Sequence, residues 1–154
     1  VAGDGPARRA LQAGAPHNVE FAGRVTDAEL AELYARCRAL VYPQEEDFGI
    51  VAVEAQAAGR PVVAFGRGGA AETVVPLGAP PGSTGASPPT GIFFSQQTPA
   101  ALELAIRRFE IEEARFDGAA IRRHAERFAI PRFCAEIGAE IERCLAGEGD
   151  PQQV

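Results

Sequence analysis

Lysine is absent from this sequence, and all 15 basic residues are arginine. Set against 21 acidic residues, they leave a formal net charge of −6. That balance argues against nucleic acid as a partner, because a phosphate backbone calls for clustered Lys and Arg. Methionine and tryptophan are absent as well, and residue 1 is Val. No apolar run comes near the ~20 residues that a membrane-spanning helix needs. No signal-peptide pattern opens the chain. Cys37, Cys134 and Cys144 are odd in number and show no C-x-x-C spacing, which suggests neither a zinc site nor a disulfide framework. Each falls in a helical pattern and is expected to behave as a small buried apolar residue. Abundant Ala, Gly, Pro and Arg beside absent Lys read as the mark of a GC-rich genome rather than as chemistry.

What remains is an ordinary globular composition, 46% apolar and 23% charged over 154 residues, enough to bury one core. The opening Val1-Ala2-Gly3-Asp4-Gly5 reads as the end of a strand entering a turn, so a domain cut from a longer protein is expected. Residues 6–13 predict a short helix ended by Gly14. Residues 19–23 predict a strand, and Thr26 or Asp27 caps a helix over 28–38 with Leu30, Leu33, Tyr34 and Cys37 on one stripe. Strands follow at 39–42, 61–65 and 91–94. Helices are predicted over 48–58, from Gly69 through Val74, from Thr98-Pro99 onward, over 119–128 and over 131–145. Residues 76–89, rich in Pro, Gly and Ser, read as a loop, and 146–154 as a frayed tail. Short apolar strands alternating with helices imply a parallel sheet covered on both faces, a Rossmann-like doubly wound α/β fold. In such sheets ligands bind outside the carboxyl ends of the strands, on the loops that lead into helices.

Two of those loops carry the chemistry. Glu46 precedes the predicted 48–58 helix and Glu54 lies inside it, a rise of roughly 9 Å from its start. A carboxylate can accept hydrogen bonds from two adjacent hydroxyls. Between the two acids, the N–H groups of Phe48, Gly49 and Ile50 can reach a sugar hydroxyl or a phosphate oxygen. The pair therefore suits a ligand with hydroxyls at both ends and phosphate between them. An isolated pair of this spacing is usually a solvated loop acid and a helix-surface acid. Here it stands in order with Ala58-Gly59-Arg60-Pro61 and Gly68-Gly69-x-x-Glu72. Gly66-Arg67-Gly68-Gly69 follows a strand and opens a helix, where exposed N–H groups and the helix dipole favour an anion, although a plain left-handed turn explains it equally well. Arg24, after the 19–23 strand, faces the same rim, either beside a base or as a surface residue. Gly3-Asp4-Gly5-Pro6 lacks the third glycine of a dinucleotide fingerprint and is a tight turn. His17 and His124 have no nucleophile or metal-ligand arrangement around them and are expected to be structural.

Taken in order, Gly3-Asp4-Gly5-Pro6, Val19-Glu20-Phe21-x-Gly23-Arg24-Val25, Pro43-x-Glu45-Glu46-x-Phe48-Gly49, Glu54-Ala55 and Gly68-Gly69-x-x-Glu72 resemble the carboxyl-terminal domain of retaining two-domain (GT-B) glycosyltransferases of group 1, family 4. The likeness runs from Val1 to about Leu145 and is most like bacterial mannosyltransferases of surface-polysaccharide pathways. It implies a donor-binding domain over 1–145 whose first strand is missing, followed by a flexible tail over 146–154. It implies transfer of a hexosyl group, mannose or glucose, from a nucleoside-diphosphate sugar to a glycan or lipid, with retention and without a metal or other cofactor. Glu46 would be the catalytic-site acid, holding hydroxyls of the transferred sugar rather than attacking it. Glu54 would hold the ribose, Phe48, Gly49 and Ile50 would offer N–H donors, and Gly68 and Gly69 would lie close to the donor.

The Arg/Lys pair that normally neutralises the donor pyrophosphate would precede Val1, and the acceptor-binding amino-terminal domain is absent too. The chain alone is therefore expected to be inert. Cytoplasmic placement, at the inner membrane face for the intact enzyme, goes with this reading. So does self-association through Phe133, Ile137, Ile141 and Leu145, four apart on the last helix. The competing readings are a GT-B sugar-nucleotide epimerase and a non-catalytic doubly wound interaction module.

Overall fold

A computed structural model describes residues 1–79 and 88–146. Most of the predicted 76–89 loop and all but the first residue of the predicted tail lie outside the described residues. The chain divides into two units, residues 1–37 and residues 38 onward.

The first unit holds α1 (Arg8–Gly14) and α2 (Asp27–Arg36). The predicted strand over 19–23 shrinks to one parallel bridge, Ala2 to Gly23, so the sequence pattern there overstates the regular structure. Gly14 ends α1 from inside the helix rather than as a left-handed cap. Thr26 caps α2 through a full capping box: its hydroxyl accepts from the Glu29 N–H, and the Glu29 carboxylate accepts from the Thr26 N–H at 2.7 Å. Along the predicted stripe Tyr34 is buried, Leu30 and Cys37 are half-buried, and Leu33 is exposed.

The second unit carries a parallel sheet of β1 (Leu40–Tyr42), β2 (Val62–Phe65) and β3 (Gly91–Phe94) in the order β1-β2-β3. Leu40 lies opposite Val62, and Val62 opposite Gly91. All four β2 residues are buried, as a strand covered on both faces requires. On one face Val63 and Phe65 join Ile92, Phe94 and Leu77 against Ala105 and Phe109 of α5 (Pro99–Glu112). Burying each such large side chain stabilises the fold by about 1.5–3 kcal/mol. Val62 and Ala64 point the other way, where α3 (Ile50–Ala57) contributes the buried Ala52 and Ala55. Thr98 caps α5 by accepting from the Ala101 N–H, with Pro99 at its first turn, as the sequence predicts. The predicted helix over 119–128 is α6 (Gly118–Ala125) followed by one 3-10 turn, Glu126–Phe128.

α6 packs on α3 at a point where the backbones of Gly59 and Gly118 nearly touch, with the Gly118 carbonyl 2.8 Å from where a Gly59 Cβ would stand. His124 of α6 is buried, and its Nε2 lies 3.0 Å from the Thr73 carbonyl at the end of α4 (Ala70–Thr73). A carbonyl can only accept, so Nε2 carries the proton. Burial holds the His124 imidazole below its ordinary pKa, the bond to Thr73 opposes this, and the Arg127 charge adds to the lowering. His124 is thus structural, as expected, whereas His17 is simply exposed.

α7 (Ile130–Leu145) buries none of its residues. Phe133, Ile137, Ile141 and Leu145 are 64%, 43%, 53% and 83% exposed, so the predicted apolar face is open. Cys134 and Cys144 lie on the same helix and are exposed, and Cys37 is half-buried. The expectation of three buried cysteines therefore fails, for Cys134 and Cys144 because no element among the described residues packs over α7 to bury them. An apolar stripe of this kind drives association. Sedimentation equilibrium should show a mass that rises with concentration, and Ile137→Glu with Ile141→Glu should return it to the monomer value.

Candidate functional site

Three loops leave the carboxyl ends of the strands: residues 43–49 after β1, 66–69 after β2 and 95–98 after β3. They are tied together at backbone carbonyls of the first loop, once by a backbone N–H and once by the side-chain amide of Gln97. The Gly69 N–H donates to the Glu46 carbonyl at 2.8 Å. The Gln97 amide donates to the Pro43 carbonyl at 3.0 Å. Gly68 adopts φ +57°, and a Cβ on it would overlap the Glu46 carbonyl oxygen. A Cβ on Gly69 would overlap the Phe48 backbone. The two glycines are the seat on which the Glu46–Phe48 segment rests. Gly69 therefore spends its N–H inside the protein, not on a ligand, and the predicted anion turn is at that residue a loop-to-loop joint.

The second correction concerns the start of α3. It begins at Ile50 rather than Phe48, because Gly49 adopts φ +78°, outside the helical region. Glycine is called for there twice over, by the left-handed φ and because a Cβ at Gly49 would stand 2.7 Å from the Tyr42 hydroxyl. Glu54 accordingly lies four residues into α3, a rise of roughly 6 Å from its start. The first N–H that α3 satisfies internally is that of Ala52, which donates to the Gly49 carbonyl at 2.9 Å. The N–H groups of Phe48, Gly49 and Ile50 bond to no partner among the described residues. They form a short run of donors at the positive end of the helix.

Glu46, Phe48, Ile50 and Glu54 are exposed, and Gly49 is buried beneath them. The Glu46 carboxylate accepts from the Gln44 amide at 3.4 Å. The Phe48 ring packs edge-on against Phe128 with centroids 5.8 Å apart, which fixes the loop against the segment leading to α7. Arg67 turns back over the Phe65 ring at 5.7 Å. Of the predicted site residues, the second unit brings together Glu46, Phe48, Gly49, Ile50, Gly68 and Gly69, with Glu54 one turn along α3. Arg24 belongs to the first unit and is exposed. Sequence reasoning passed over Tyr42 and Gln97 as parts of this cluster. Tyr42 reads there as the last apolar residue of a strand, and Gln97 as a loop amide.

Comparison with known proteins bears on the family and the fold. The sequence profile described as "Glycosyl transferases group 1" matches residues 1–127. The chain is similar to D-inositol 3-phosphate glycosyltransferase from Kineococcus radiotolerans, 36% identical over 113 residues, which are 71% of this chain and 25% of that protein. The same enzyme from Streptomyces avermitilis is 34% identical over 128 residues, 81% of this chain and 25% of its own. The chain thus spans about a quarter of the length of these curated relatives. Among solved structures, sucrose-phosphate synthase from Thermosynechococcus elongatus superposes with a TM-score of 0.73 at 28% identity, over 91% of this chain and 34% of that one. Anabaena HepE in complex with UDP-glucose gives a TM-score of 0.59 at 28% identity, over 95% and 40%. The names of these relatives do not repeat the particular likeness to mannosyltransferases.

Proposed function

Since this chain belongs to the group 1 glycosyltransferases, we propose that residues 1–145 bind the sugar-nucleotide donor of a retaining hexosyltransferase. One observation carries the reading. The loops after β1 and β2 are locked together by the Gly69-to-Glu46 bond, and so hold Glu46, three free N–H groups and Glu54 in sequence along one rim. Glu46 positions the hexose through its hydroxyls. The Phe48-Gly49-Ile50 donors meet the sugar or the phosphate oxygens beside it. Glu54 takes the ribose diol.

No attacking carboxylate is required. In the intact enzyme the developing charge of the leaving diphosphate is met by cations and oriented N–H groups, which act most strongly where water is excluded. The resemblance implies that an Arg/Lys pair supplies those cations. We place the intact enzyme in the cytoplasm, working on a glycan or lipid acceptor at the inner membrane face. A hexose fits the paired hydroxyl-binding role of Glu46. The named relatives favour a polyol phosphate acceptor, HepE favours a uridine donor, and the mannosyltransferase likeness favours a guanosine one.

The test is proton NMR of the full-length protein turning over UDP-glucose or GDP-mannose, observed at the anomeric proton. Transfer with the α configuration kept is expected. An inverted product would overturn the mechanism. Donor rearrangement without acceptor would favour the epimerase alternative.

A further inference from the structure

Tyr42 is the last residue of β1, 1% exposed, and its hydroxyl has no hydrogen-bond partner among the described residues. A phenylalanine would fill the same volume. Burying a hydroxyl without a partner costs free energy, so the oxygen is an expense that packing alone does not explain. The hydroxyl points out of the core at the underside of the 43–49 loop. It abuts Gly49, whose left-handed turn leaves room for it: a Cβ there would come within 2.7 Å of the oxygen. The Glu46 carboxylate is the charged group near enough to act on it.

We propose that Tyr42 is a positioning residue for Glu46: when a sugar nucleotide binds, its phenol donates a hydrogen bond to the Glu46 carboxylate from below. The proposal rests on the reading of Glu46 as the residue that holds the transferred sugar. In the free protein Glu46 is exposed and its one well-formed side-chain bond among the described residues is a long 3.4 Å bond from Gln44, so its carboxylate has freedom to swing. A carboxylate that must accept from two sugar hydroxyls in one orientation gains from a fixed donor on its remaining lone pairs. Tyr42 is well suited, because its ring is immobilised in the sheet and Gly49 keeps the space above the oxygen clear. Burial first, and then the nearby Glu46 carboxylate, as a hydrogen-bond acceptor before it acts as a charge, push the phenol up to about 12, so it is protonated and able to donate at any working pH, although no bond of good geometry is formed in the free protein. The sequence supplies each part of the device: a tyrosine rather than a phenylalanine at the strand end, a glycine at position 49 and an acid at position 46.

The experiment compares dissociation constants of UDP-glucose against UDP, and of GDP-mannose against GDP, for the chain, Glu46→Gln and Tyr42→Phe. The sugar nucleotide of the preferred base should bind more tightly than its bare diphosphate, and Glu46→Gln should abolish that preference. Tyr42→Phe should reduce it three- to tenfold while leaving the bare diphosphate affinity unchanged and the melting temperature equal or higher.

A second readout needs no affinity. The chain has two tyrosines, Tyr34 and Tyr42, so the ¹³Cζ resonance of Tyr42 can be assigned with Tyr34→Phe. It should move when the sugar nucleotide is added to the wild type and stay still in Glu46→Gln. If Glu46→Gln keeps the preference for the sugar, or the wild type has none, the reading of Glu46 falls and this proposal with it. If Glu46→Gln loses the preference but Tyr42→Phe keeps it, the site stands and the role of Tyr42 is overturned.

Discussion

Gly69→Ala should lower the melting temperature by roughly 4–16 °C and remove measurable nucleotide binding. The backbone of Gly69 has φ −60° and ψ −23°, a conformation that alanine adopts freely. At such a position alanine ordinarily stabilises a helix start by reducing the freedom of the unfolded chain. The cost here comes entirely from the neighbour, since the new Cβ would occupy the space of the Phe48 backbone. A backbone obstacle cannot rotate away as a side chain does. Relief requires the two loops to part, which breaks the Gly69-to-Glu46 bond. Overpacking of this kind costs about 1–3 kcal/mol and the lost bond about 1 kcal/mol more. At about 2–4 °C per kcal/mol for a chain of this size, the stated shift follows. The control is Gly138→Ala in α7, where a Cβ meets nothing within 4 Å. It should raise helix stability by about 0.5–1 kcal/mol. Differential scanning calorimetry of both variants separates a generic loss of glycine flexibility from the joint between the loops. Equal, small shifts would remove the joint from the account.

Much of this arrangement is legible in the sequence, and its limits are instructive. Thr26 with Glu29, and Thr98 with Pro99, announce their helix starts through side-chain chemistry local to three or four residues, and both are where the pattern puts them. The apolar runs at 62–65 and 91–94 are strands largely buried on both faces, whereas the run at 40–42, first in the sheet order, leaves Val41 exposed. The start of α3 differs because its cause is not local. Gly49 follows Phe48 in a helix-compatible stretch, yet it is left-handed and packs where a Cβ would meet the Tyr42 hydroxyl, a contact from seven residues upstream. Gly68-Gly69 is likewise conspicuous in the sequence, but the reason for it lies some twenty residues upstream, in the Glu46–Phe48 backbone. A pair of glycines after a strand can expose N–H groups to an anion or admit another chain segment, and spacing alone does not choose between them. The 19–23 run has strand-like composition yet forms a single bridge. The cysteines of α7 fall in a good helical pattern, but burial depends on what packs over a helix, which periodicity does not record.

Glu54→Ala should weaken binding of the preferred nucleoside diphosphate by about 10–100-fold, the worth of roughly 1.5–3 kcal/mol for hydrogen bonds made to a charged group. Glu54 is exposed on α3, and alanine is a good helix former there. Where the melting temperature of Glu54→Ala matches that of the wild type, a loss of affinity is a loss of contact with ligand rather than of structure. The effect should be the same for the bare diphosphate and for the sugar nucleotide, because the ribose is common to both, whereas substitutions at Glu46 should touch only the latter. Calorimetric titration of the chain with UDP, GDP and ADP, repeated on Glu54→Ala, tests the central claim most directly. Millimolar or tighter binding of one of the three, lost or weakened at least tenfold by the substitution, is the predicted result. Binding that ignores the base, or that survives Glu54→Ala undiminished, would contradict a donor site built on the 43–49 loop and α3.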